Sequence, residues 1–276
     1  MIITLTTDFG TCDEYAGVMK GVILARAPRV RLVDLTHQVP AQDVDRAAAV
    51  LAAAFPYFPA GTIHLAVVDP GVGSDRDIIL VSAGGQQFLA PDNGLLTPLL
   101  DRDIFESARA VECDHLFLKP LSHTFHGRDI MAPVAAALAC GMNPDEVGPS
   151  RSPAELISRT RPEPLLDPVK KNLAGIITGA DRFGNLTTNI TAADLAGIIT
   201  GDSEQQGQDQ LMVTVRDTPI KGLVTAYAQA EPGQLLCLIN SRGFLEIAAR
   251  ETSAATILKA GPGVRVLVSQ WPATTG

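Results

Sequence analysis

In the first half of the chain, short apolar runs alternate with longer segments that place apolar residues on one helical face. Five short runs predict strands: residues 2–6, 30–35, 62–68, 78–82 and 87–90. Three longer segments predict helices: residues 13–27, 43–55 and 131–140. The run at 62–68 is the longest of the five, as expected for a strand buried on both faces of a sheet. The alternation predicts an α/β domain with a mostly parallel sheet.

In the second half, the pattern changes to short apolar runs separated by Gly, Asp, Asn and Pro. Six runs predict strands: residues 174–178, 211–215, 223–226, 235–239, 244–248 and 264–268. Their spacing favours a small antiparallel barrel or sandwich. Five prolines between positions 149 and 168 predict an extended linker. We therefore expect an N-terminal α/β domain over residues 1–150, a proline-rich linker over 151–169 and a smaller C-terminal β domain over 170–276.

The composition argues against several classes of protein. Hydrophobic residues make up 46% of the 276 positions, which is enough for a sizeable core, and a formal net charge of -8 argues against nucleic acid as a partner. No run of about 18 apolar residues predicts a membrane span, and the first residues lack the features of a signal peptide. Four scattered cysteines without a CxxC pair are typical of reduced thiols, which favours the cytoplasm.

The segment 66–76 carries the most chemical information. Asp69 follows a predicted strand, a Gly-rich loop comes next, and Arg76 closes that loop just before another strand. Open α/β sheets build their sites at this edge. A purely structural ion pair between Asp69 and Arg76 would explain these two residues equally well. In the functional interpretation, the two residues and His126 orient a water molecule and position it as a nucleophile without a metal.

Two further strand ends carry polar residues. Asp8 follows the first strand, where a carboxylate can accept hydrogen bonds from two ribose hydroxyls or simply cap the loop. We interpret Asp34 and His37, at the end of the second strand, as residues that brace their loop by hydrogen bonds. His123 and His126 are three residues apart, but they lie in a loop without a third ligand at a useful spacing. We therefore expect no metal and no cofactor.

Two polar turns separate apolar runs in the second half, at residues 181–185 and 240–244. Hairpin turn chemistry is one explanation for them. In the other, Asp181 binds an ammonium group, and Ser241 with Arg242 binds a carboxylate, which together suit the amino-acid end of a ligand. With ribose near Asp8, these residues point to a ligand similar to S-adenosylmethionine.

Seven motifs together resemble those of the S-adenosyl-L-methionine hydroxide adenosyltransferases. These enzymes are also called SAM hydrolases and are related to enzymes that fluorinate or chlorinate the same substrate. The motifs are Thr7-Asp8-Phe9-Gly10, Val33-Asp34-Leu35-Thr36-His37, Val68-Asp69-Pro70-Gly71-Val72-Gly73, Ala90-Pro91-Asp92-Asn93-Gly94-Leu95-Leu96, Phe125-His126-Gly127-Arg128-Asp129, Asp181-Arg182-Phe183-Gly184-Asn185 and Asn240-Ser241-Arg242-Gly243. The resemblance covers residues 2–268, and the number, order and spacing of the motifs make it specific.

The resemblance implies a fold, an assembly and a reaction. It implies an N-terminal α/β domain, a C-terminal β-barrel, and a homotrimer whose sites lie between the N-terminal domain of one subunit and the C-terminal domain of the next. The implied reaction is hydrolysis of S-adenosylmethionine to adenosine and L-methionine at the ribose 5′-carbon.

The resemblance also implies roles for individual residues. Asp69, Arg76 and His126 match the residues that activate water, and Asp8 matches the carboxylate that binds ribose. The family's contacts to the methionine end are matched by Asp13, Asp181, Ser241 and Arg242. Its contacts to adenine are matched by Asn185 and Tyr227.

The chain departs from the halogenating relatives at positions that matter for the nucleophile. Those enzymes carry Tyr where this chain has Asp69 and a Tyr-Ser pair where it has His126 and Gly127, and the fluorinating branch has Trp near the position of Gln42. A carboxylate about 4 Å from an incoming halide would repel it by roughly 4 kcal/mol at an effective dielectric of about 20. The sequence therefore favours water as the nucleophile. Halide-dependent cleavage and non-catalytic binding of S-adenosylmethionine or adenosine are the alternatives.

Overall fold

The computed structural model describes residues 1–100, 103–160, 162–198 and 210–270. The chain forms two compact units, Met1–Arg159 and Thr160–Gly276. Within the described residues, no helix is both long enough and apolar enough to cross a membrane.

The first unit is built on a seven-stranded sheet with the order β2-β1-β3-β5-β4-β6-β7. Its strands are β1 (Ile2–Thr7), β2 (Arg31–Thr36), β3 (Ile63–Val67), β4 (Ile78–Ala83), β5 (Gln86–Pro91), β6 (Phe105–Ala110) and β7 (Ser150–Arg151). Its helices are α1 (Tyr15–Arg26), α2 (Val44–Ala54), α3 (Thr97–Leu100) and α4 (Ala132–Ala139). The elements predicted over residues 2–90 and 131–140 are all present, with ends that shift by one or two residues.

Apolar residues cover both faces of this sheet. In β3, Ile63, Leu65 and Val67 belong to a core cluster that includes residues of α1 and α4. Ala66 points the opposite way, into a second cluster with residues of α2 and α3. The alternation follows from the two-residue period of a strand. The central strands are therefore buried on both sides, as the sequence predicts.

The sheet is mixed, with three parallel and three antiparallel pairings. Strands β2, β1, β3 and β5 run parallel, whereas β4, β6 and β7 add antiparallel pairs. The change of direction begins at Gly84 and Gly85, which have φ values of +57° and +70°. Two residues with positive φ form a tight hairpin, and glycine adopts this conformation without a steric cost. β4 and β5 are therefore antiparallel neighbours.

The first part of the proline-rich segment is bound to the first unit. Ser150–Arg151 forms β7 against β6, the amide of Ile157 donates to Oδ1 of Asp92, and the guanidinium of Arg159 forms two hydrogen bonds with Asp45. These contacts attach the chain to the first unit as far as residue 159.

The second unit is an antiparallel sheet of eight strands with the order β12-β11-β15-β9-β10-β14-β13, and β8 pairs with β9. The strands are β8 (Leu165–Asp167), β9 (Asn172–Ala180), β10 (Leu186–Thr191), β11 (Leu211–Val215), β12 (Thr218–Lys221), β13 (Leu235–Ile239), β14 (Phe244–Ala249) and β15 (Arg265–Gln270). The described residues of this unit also form two short helices, α5 (Ala192–Ala196) and α6 (Ala254–Leu258). Because β12 also contacts β13, the sheet curls into a nearly closed barrel around one apolar cluster.

One predicted strand of this unit is wrong. Residues 223–226 form no strand, although Leu223 is buried and the amide of Val224 donates to the carbonyl of Cys237. Its apolar side chains pack without forming a strand, since Leu223 belongs to the barrel core and Val224 packs against a cluster that includes Leu236 and Leu238. Conversely, the apolar pattern does not predict β10, because its sequence Leu-Thr-Thr-Asn-Ile-Thr lacks a continuous apolar run.

Candidate active site

The loop between β3 and β4 folds Arg76 back onto Asp69. The loop contains two successive turns, in which the amides of Val72 and Ser74 donate to the carbonyls of Asp69 and Gly71. Arg76 Nε donates to Asp69 Oδ1 over 2.7 Å, and Arg76 Nη2 pairs with Asp69 Oδ2. Only 8% of the Arg76 side chain and 6% of the Asp69 side chain are exposed. A paired and nearly buried Arg–carboxylate fork holds both groups in one geometry.

His126 completes a connected group with this pair. Its Nδ1 lies 3.1 Å from Nη2 of Arg76. A guanidinium only donates hydrogen bonds, so Nδ1 must accept, and a neutral imidazole then carries its proton on Nε2. Burial, and secondly the charge of Arg76, lower the pKa of His126 below its ordinary value of 6.5. The ring is therefore neutral near pH 7, with an N–H at Nε2.

The backbone around His126 explains how the ring reaches Arg76. His126 immediately precedes a π-helical turn, Gly127–Met131, which continues into α4. A Cβ at Gly127 would lie 3.1 Å from Sδ of Met19 and 3.3 Å from Cγ1 of Val67. Glycine at this position lets the turn approach α1 and β3 closely. The residue before it is thereby held over the end of β3.

Arg128 and Asp129, which follow Gly127, fix the same loop on the other side of His126. Asp129 is buried and accepts hydrogen bonds from the side chain of Arg128 and the amide of Ser122. Burial raises the pKa of Asp129, but these hydrogen bonds outweigh it and the net shift is downward. Arg128 also lies 5.2 Å from the ring centre of Phe125. The loop that carries His126 is therefore anchored on both sides of that residue.

Asp8 lies in the same cleft as Asp69 and His126. The cleft has a volume of about 260 Å³, and its apolar wall includes Phe9 and Phe125. Asp8 follows β1, and its Oδ2 accepts a hydrogen bond from the amide of Gln42 over 2.8 Å. Parallel strands β1 and β3 are neighbours, so their carboxyl ends bring Asp8 and Asp69 to one edge of the sheet.

A chain of polar contacts lies beneath Asp8. Thr7 Oγ1 lies 2.9 Å from Nδ1 of His37, and the Nε2 of His37 lies 3.1 Å from Oδ1 of Asp34. Lys20 Nζ donates to the other oxygen of Asp34 over 2.6 Å. These contacts agree with the interpretation of Asp34 and His37 as residues that brace the loop. Asp13, in contrast, is exposed before α1 and does not line the cleft.

The remaining predicted residues lie in the second unit. Asp181 accepts from the amides of Phe183 and Asn185 through Oδ1 and from the side chain of Asn185 through Oδ2. Asn185 is buried. The turn at 181–185 is therefore ordered by its own side chains, as turn chemistry predicts.

A buried carboxylate outside the predicted set organises the neighbouring residues. Glu246 is only 6% exposed, and its two oxygens accept from the hydroxyl of Tyr227 over 2.7 Å and the side-chain amide of Asn240 over 3.1 Å. Arg242 donates to Oγ1 of Thr187 over 2.9 Å. Thr187 and Glu246 are directly paired across β10 and β14. Tyr227 and Arg242 are therefore held by adjacent positions of one strand pair, whereas Ser241 is exposed in the turn.

The surroundings of Tyr227 raise the pKa of its phenol. Burial, the hydrogen bond to Glu246 and the negative charges of Glu246 and Asp181 together raise the pKa of Tyr227 to about 12. No group of three His, Cys, Asp or Glu side chains suited to a metal ion occurs in the parts of the chain that the structure describes.

Comparison with protein families identifies the chain. The SAM hydroxide adenosyltransferase N-terminal domain matches residues 3–148, and the C-terminal domain of the same family matches residues 175–267. The chain belongs to the SAM hydroxide adenosyltransferase family.

Relatives of two kinds are similar over nearly the whole length. The (R)-S-adenosyl-L-methionine hydrolase of Salinispora arenicola is 36% identical and is matched over 97% of both chains. The protein of the same name from Thermus thermophilus is also 36% identical, over 95% of this chain and 97% of its own. A fluorinase of an Actinoplanes species is 30% identical over 98% of this chain and 97% of its own.

Solved structures show the same fold. A crystal structure of a conserved protein from Thermotoga maritima has a TM-score of 0.87 and 34% identity, and covers 98% of this chain and 100% of that one. The predicted fold class and family are therefore confirmed.

Proposed function

We propose that the protein hydrolyses S-adenosyl-L-methionine to adenosine and L-methionine, with water attacking the ribose 5′-carbon. The observation that carries this proposal is the connected group of Asp69, Arg76 and His126, in which Asp69 and His126 line one cleft with Asp8. Relatives named hydrolases are 34–36% identical to this chain, and those named fluorinases 28–30%, which supports water as the nucleophile.

The chemistry needs little help at the leaving group. The oxygen of water forms a bond to the 5′-carbon while the bond from that carbon to sulfur breaks, and its electron pair goes to sulfur. The sulfonium becomes the neutral thioether of methionine, so no general acid is required. The water loses one proton as it becomes the 5′-hydroxyl. Because free water is a very weak acid, forming full hydroxide before the attack would be costly without a metal.

The hydrogen bonds suggest a different role for each of the three residues. Since His126 accepts at Nδ1 from Arg76, its Nε2–H can only donate, which suits it to orient the water. Asp69 is then the residue that accepts the proton, late in the reaction, through a lone pair that Arg76 leaves open. Arg76 fixes both partners at once. Such positioning contributes on the order of several kcal/mol to lowering the barrier.

We assign Asp8 to the ribose hydroxyls, and Asp13, Asp181, Ser241 and Arg242 to the methionine end. Asn185 and Tyr227 are assigned to adenine. The name of the hydrolase relatives specifies an R centre besides the L-amino acid, so we further propose the R sulfonium epimer as the substrate.

A product assay with the separated sulfonium epimers tests the reaction. Adenosine and methionine should form from the R epimer with or without chloride. A 5′-chloro nucleoside that appears only with chloride would favour the halogenating alternative. Tight binding of either epimer without any product would favour a non-catalytic binding protein.

We also propose that the chain assembles as a homotrimer and completes each site with residues of two subunits. Native mass spectrometry measures the number of chains directly. In mixed assemblies of Asp69→Asn and Arg242→Ala subunits, some sites would regain a full set of wild-type residues, so co-expression should restore part of the activity. A monomer, or mixed assemblies without activity, would contradict this proposal.

The four cysteines are free thiols, which supports a cytoplasmic location. We propose that the protein acts there on its small-molecule substrate.

A further inference from the structure

The turn at residues 91–94 lies between the two strands that carry the Asp69–Arg76 pair. β5 lies between β3 and β4 in the sheet, parallel to the first and antiparallel to the second. The carboxyl end of β5 therefore reaches the edge where β3 ends and β4 begins. Asp69 and Arg76 leave the sheet at that edge. The motif that contains this turn has no role in the reaction proposed above.

The turn holds the backbone on both sides of the pair. Nδ2 of Asn93 donates to the carbonyl of Val68, one residue before Asp69, over 2.9 Å. The amide of Asp92 donates to the carbonyl of Asp77, one residue after Arg76, also over 2.9 Å. Val68 is completely buried. The first bond depends on a side chain, so a substitution can remove it, whereas the second is made by backbone alone.

The turn is itself rigid. Oδ1 of Asn93 accepts from the amide of Leu95, and Oδ1 of the buried Asp92 accepts from the amide of Ile157. Gly94 has a φ of +90°, and a Cβ there would overlap the side chain of Arg159. Several contacts that do not involve Nδ2 of Asn93 thus keep the turn in place. The Asn93 side chain extends from a fixed frame to the strand end that carries Asp69.

We propose that Asn93 is a positioning residue that acts through Asp69. It fixes the direction in which β3 ends, and with it the place where the Asp69 carboxylate meets Arg76 and the water. This inference rests on the proposed hydrolysis. A small misplacement of reacting groups is enough to slow a reaction severely. Loss of the Asn93 bond should therefore lower kcat much more than it weakens substrate binding.

The test compares two substitutions that remove the same donor. Asn93→Asp keeps the size of the side chain and the acceptor for Leu95, and Asn93→Ala removes both, so one variant remains if the other fails to fold. Each should lower kcat for S-adenosylmethionine by about tenfold or more, with KM changed by less than about twofold. Asn143→Ala is the matched control, because Asn143 Oδ1 accepts from the amide of Asp145 in an exposed turn. It should leave kcat unchanged.

A double-mutant cycle separates positioning from a general structural role. In the Asp69→Asn background, the further change Asn93→Ala should lower kcat by less than about twofold, since the residue through which it acts is already altered. If the double variant loses kcat by the product of the two single losses, the inference is overturned. An unchanged kcat with only a lower Tm would overturn it as well. Wild-type protein that turns over substrate, with Asn93 variants equally active, refutes the role of Asn93 alone, whereas inactive wild-type protein refutes the proposed function.

Discussion

Nη2 of Arg76 donates to Nδ1 of His126 over 3.1 Å, while the same guanidinium holds both oxygens of Asp69. This bond decides which nitrogen of the imidazole carries the proton. The ring presents an N–H at Nε2, and in the proposed reaction the carboxylate of Asp69 is the base. In the proposed reaction the ion pair takes part in the chemistry besides supporting the loop.

Arg76→Lys tests whether the forked geometry matters beyond the charge. A lysine keeps the positive charge but cannot bind two carboxylate oxygens and an imidazole in one plane. We expect kcat to fall by about a hundredfold with little change in KM, measured by the release of adenosine. Arg109→Lys is the control, since Arg109 pairs with Asp145 outside the cleft. Equal kcat for Arg76→Lys and the wild type would contradict the role assigned to Arg76.

The acid side of the pH profile tests the protonation state of His126. Protonation of Nδ1 removes the acceptor for Arg76 and places two positive charges together, so only the neutral ring supports the arrangement. Because burial and Arg76 lower the pKa of His126, kcat should stay level as pH falls to 6.5 and decline only below that value. His126→Asn should be slower and should lack this decline. Activity that rises as pH falls through 6.5 would show that the charged ring is the active form.

Gly73 allows the loop that carries Arg76 to approach the loop that carries His126 closely. It has a φ of +82°, and a Cβ there would overlap the carbonyl of His123, three residues before His126. Gly73→Ala should separate His126 from Arg76 and lower kcat by about tenfold or more. Gly61→Ala matches the backbone strain, because Gly61 has a φ of +79° and a Cβ there would meet no other atom within 4 Å. The positive φ alone should cost each variant about 1–2 kcal/mol of stability, and the overlap should cost Gly73→Ala more. Only Gly73→Ala should lose activity; equal kcat for both would contradict this account.

The Tyr227–Glu246 contact is open to a spectroscopic test. With a pKa of about 12, Tyr227 should be only about a tenth ionised at pH 11. Glu246→Gln removes the negative charge and should lower that pKa towards the ordinary value of 10.0, so more tyrosinate absorbs at pH 11. Tyr227→Phe identifies the signal, and circular dichroism at the same pH checks that each protein is folded. An unchanged tyrosinate absorbance in Glu246→Gln would contradict the contact.

The sequence predicts the fold where apolar periodicity is regular. The strands and helices of residues 2–90 follow from that periodicity, since their apolar residues form two continuous cores. The pattern cannot show direction, and the tight turn at Gly84 and Gly85 makes β4 and β5 an antiparallel pair. It also cannot distinguish an apolar turn from a strand, which is why residues 223–226 are wrong and the Thr-rich β10 is missing.

The candidate site is predictable where a residue type is chemically unusual at a strand end. Asp8, Asp69 and Arg76 have this property, and the structure brings Asp69 and Arg76 together with His126. Glu246 has no such signal, because a Glu in an alternating strand normally faces solvent. Its two oxygens are bound by Asn240 in the preceding turn and by Tyr227, which lies 19 residues earlier in the chain. The roles of Asn93 and of the His126 tautomer depend on distances that spacing alone does not contain.

The most direct test of the central claim is incubation of the purified protein with S-adenosylmethionine in ¹⁸O-water, followed by mass spectrometry of the products. The account predicts adenosine with one ¹⁸O in its 5′-hydroxyl and methionine without label. Substrate that remains intact, or adenosine that forms without the label, would contradict it.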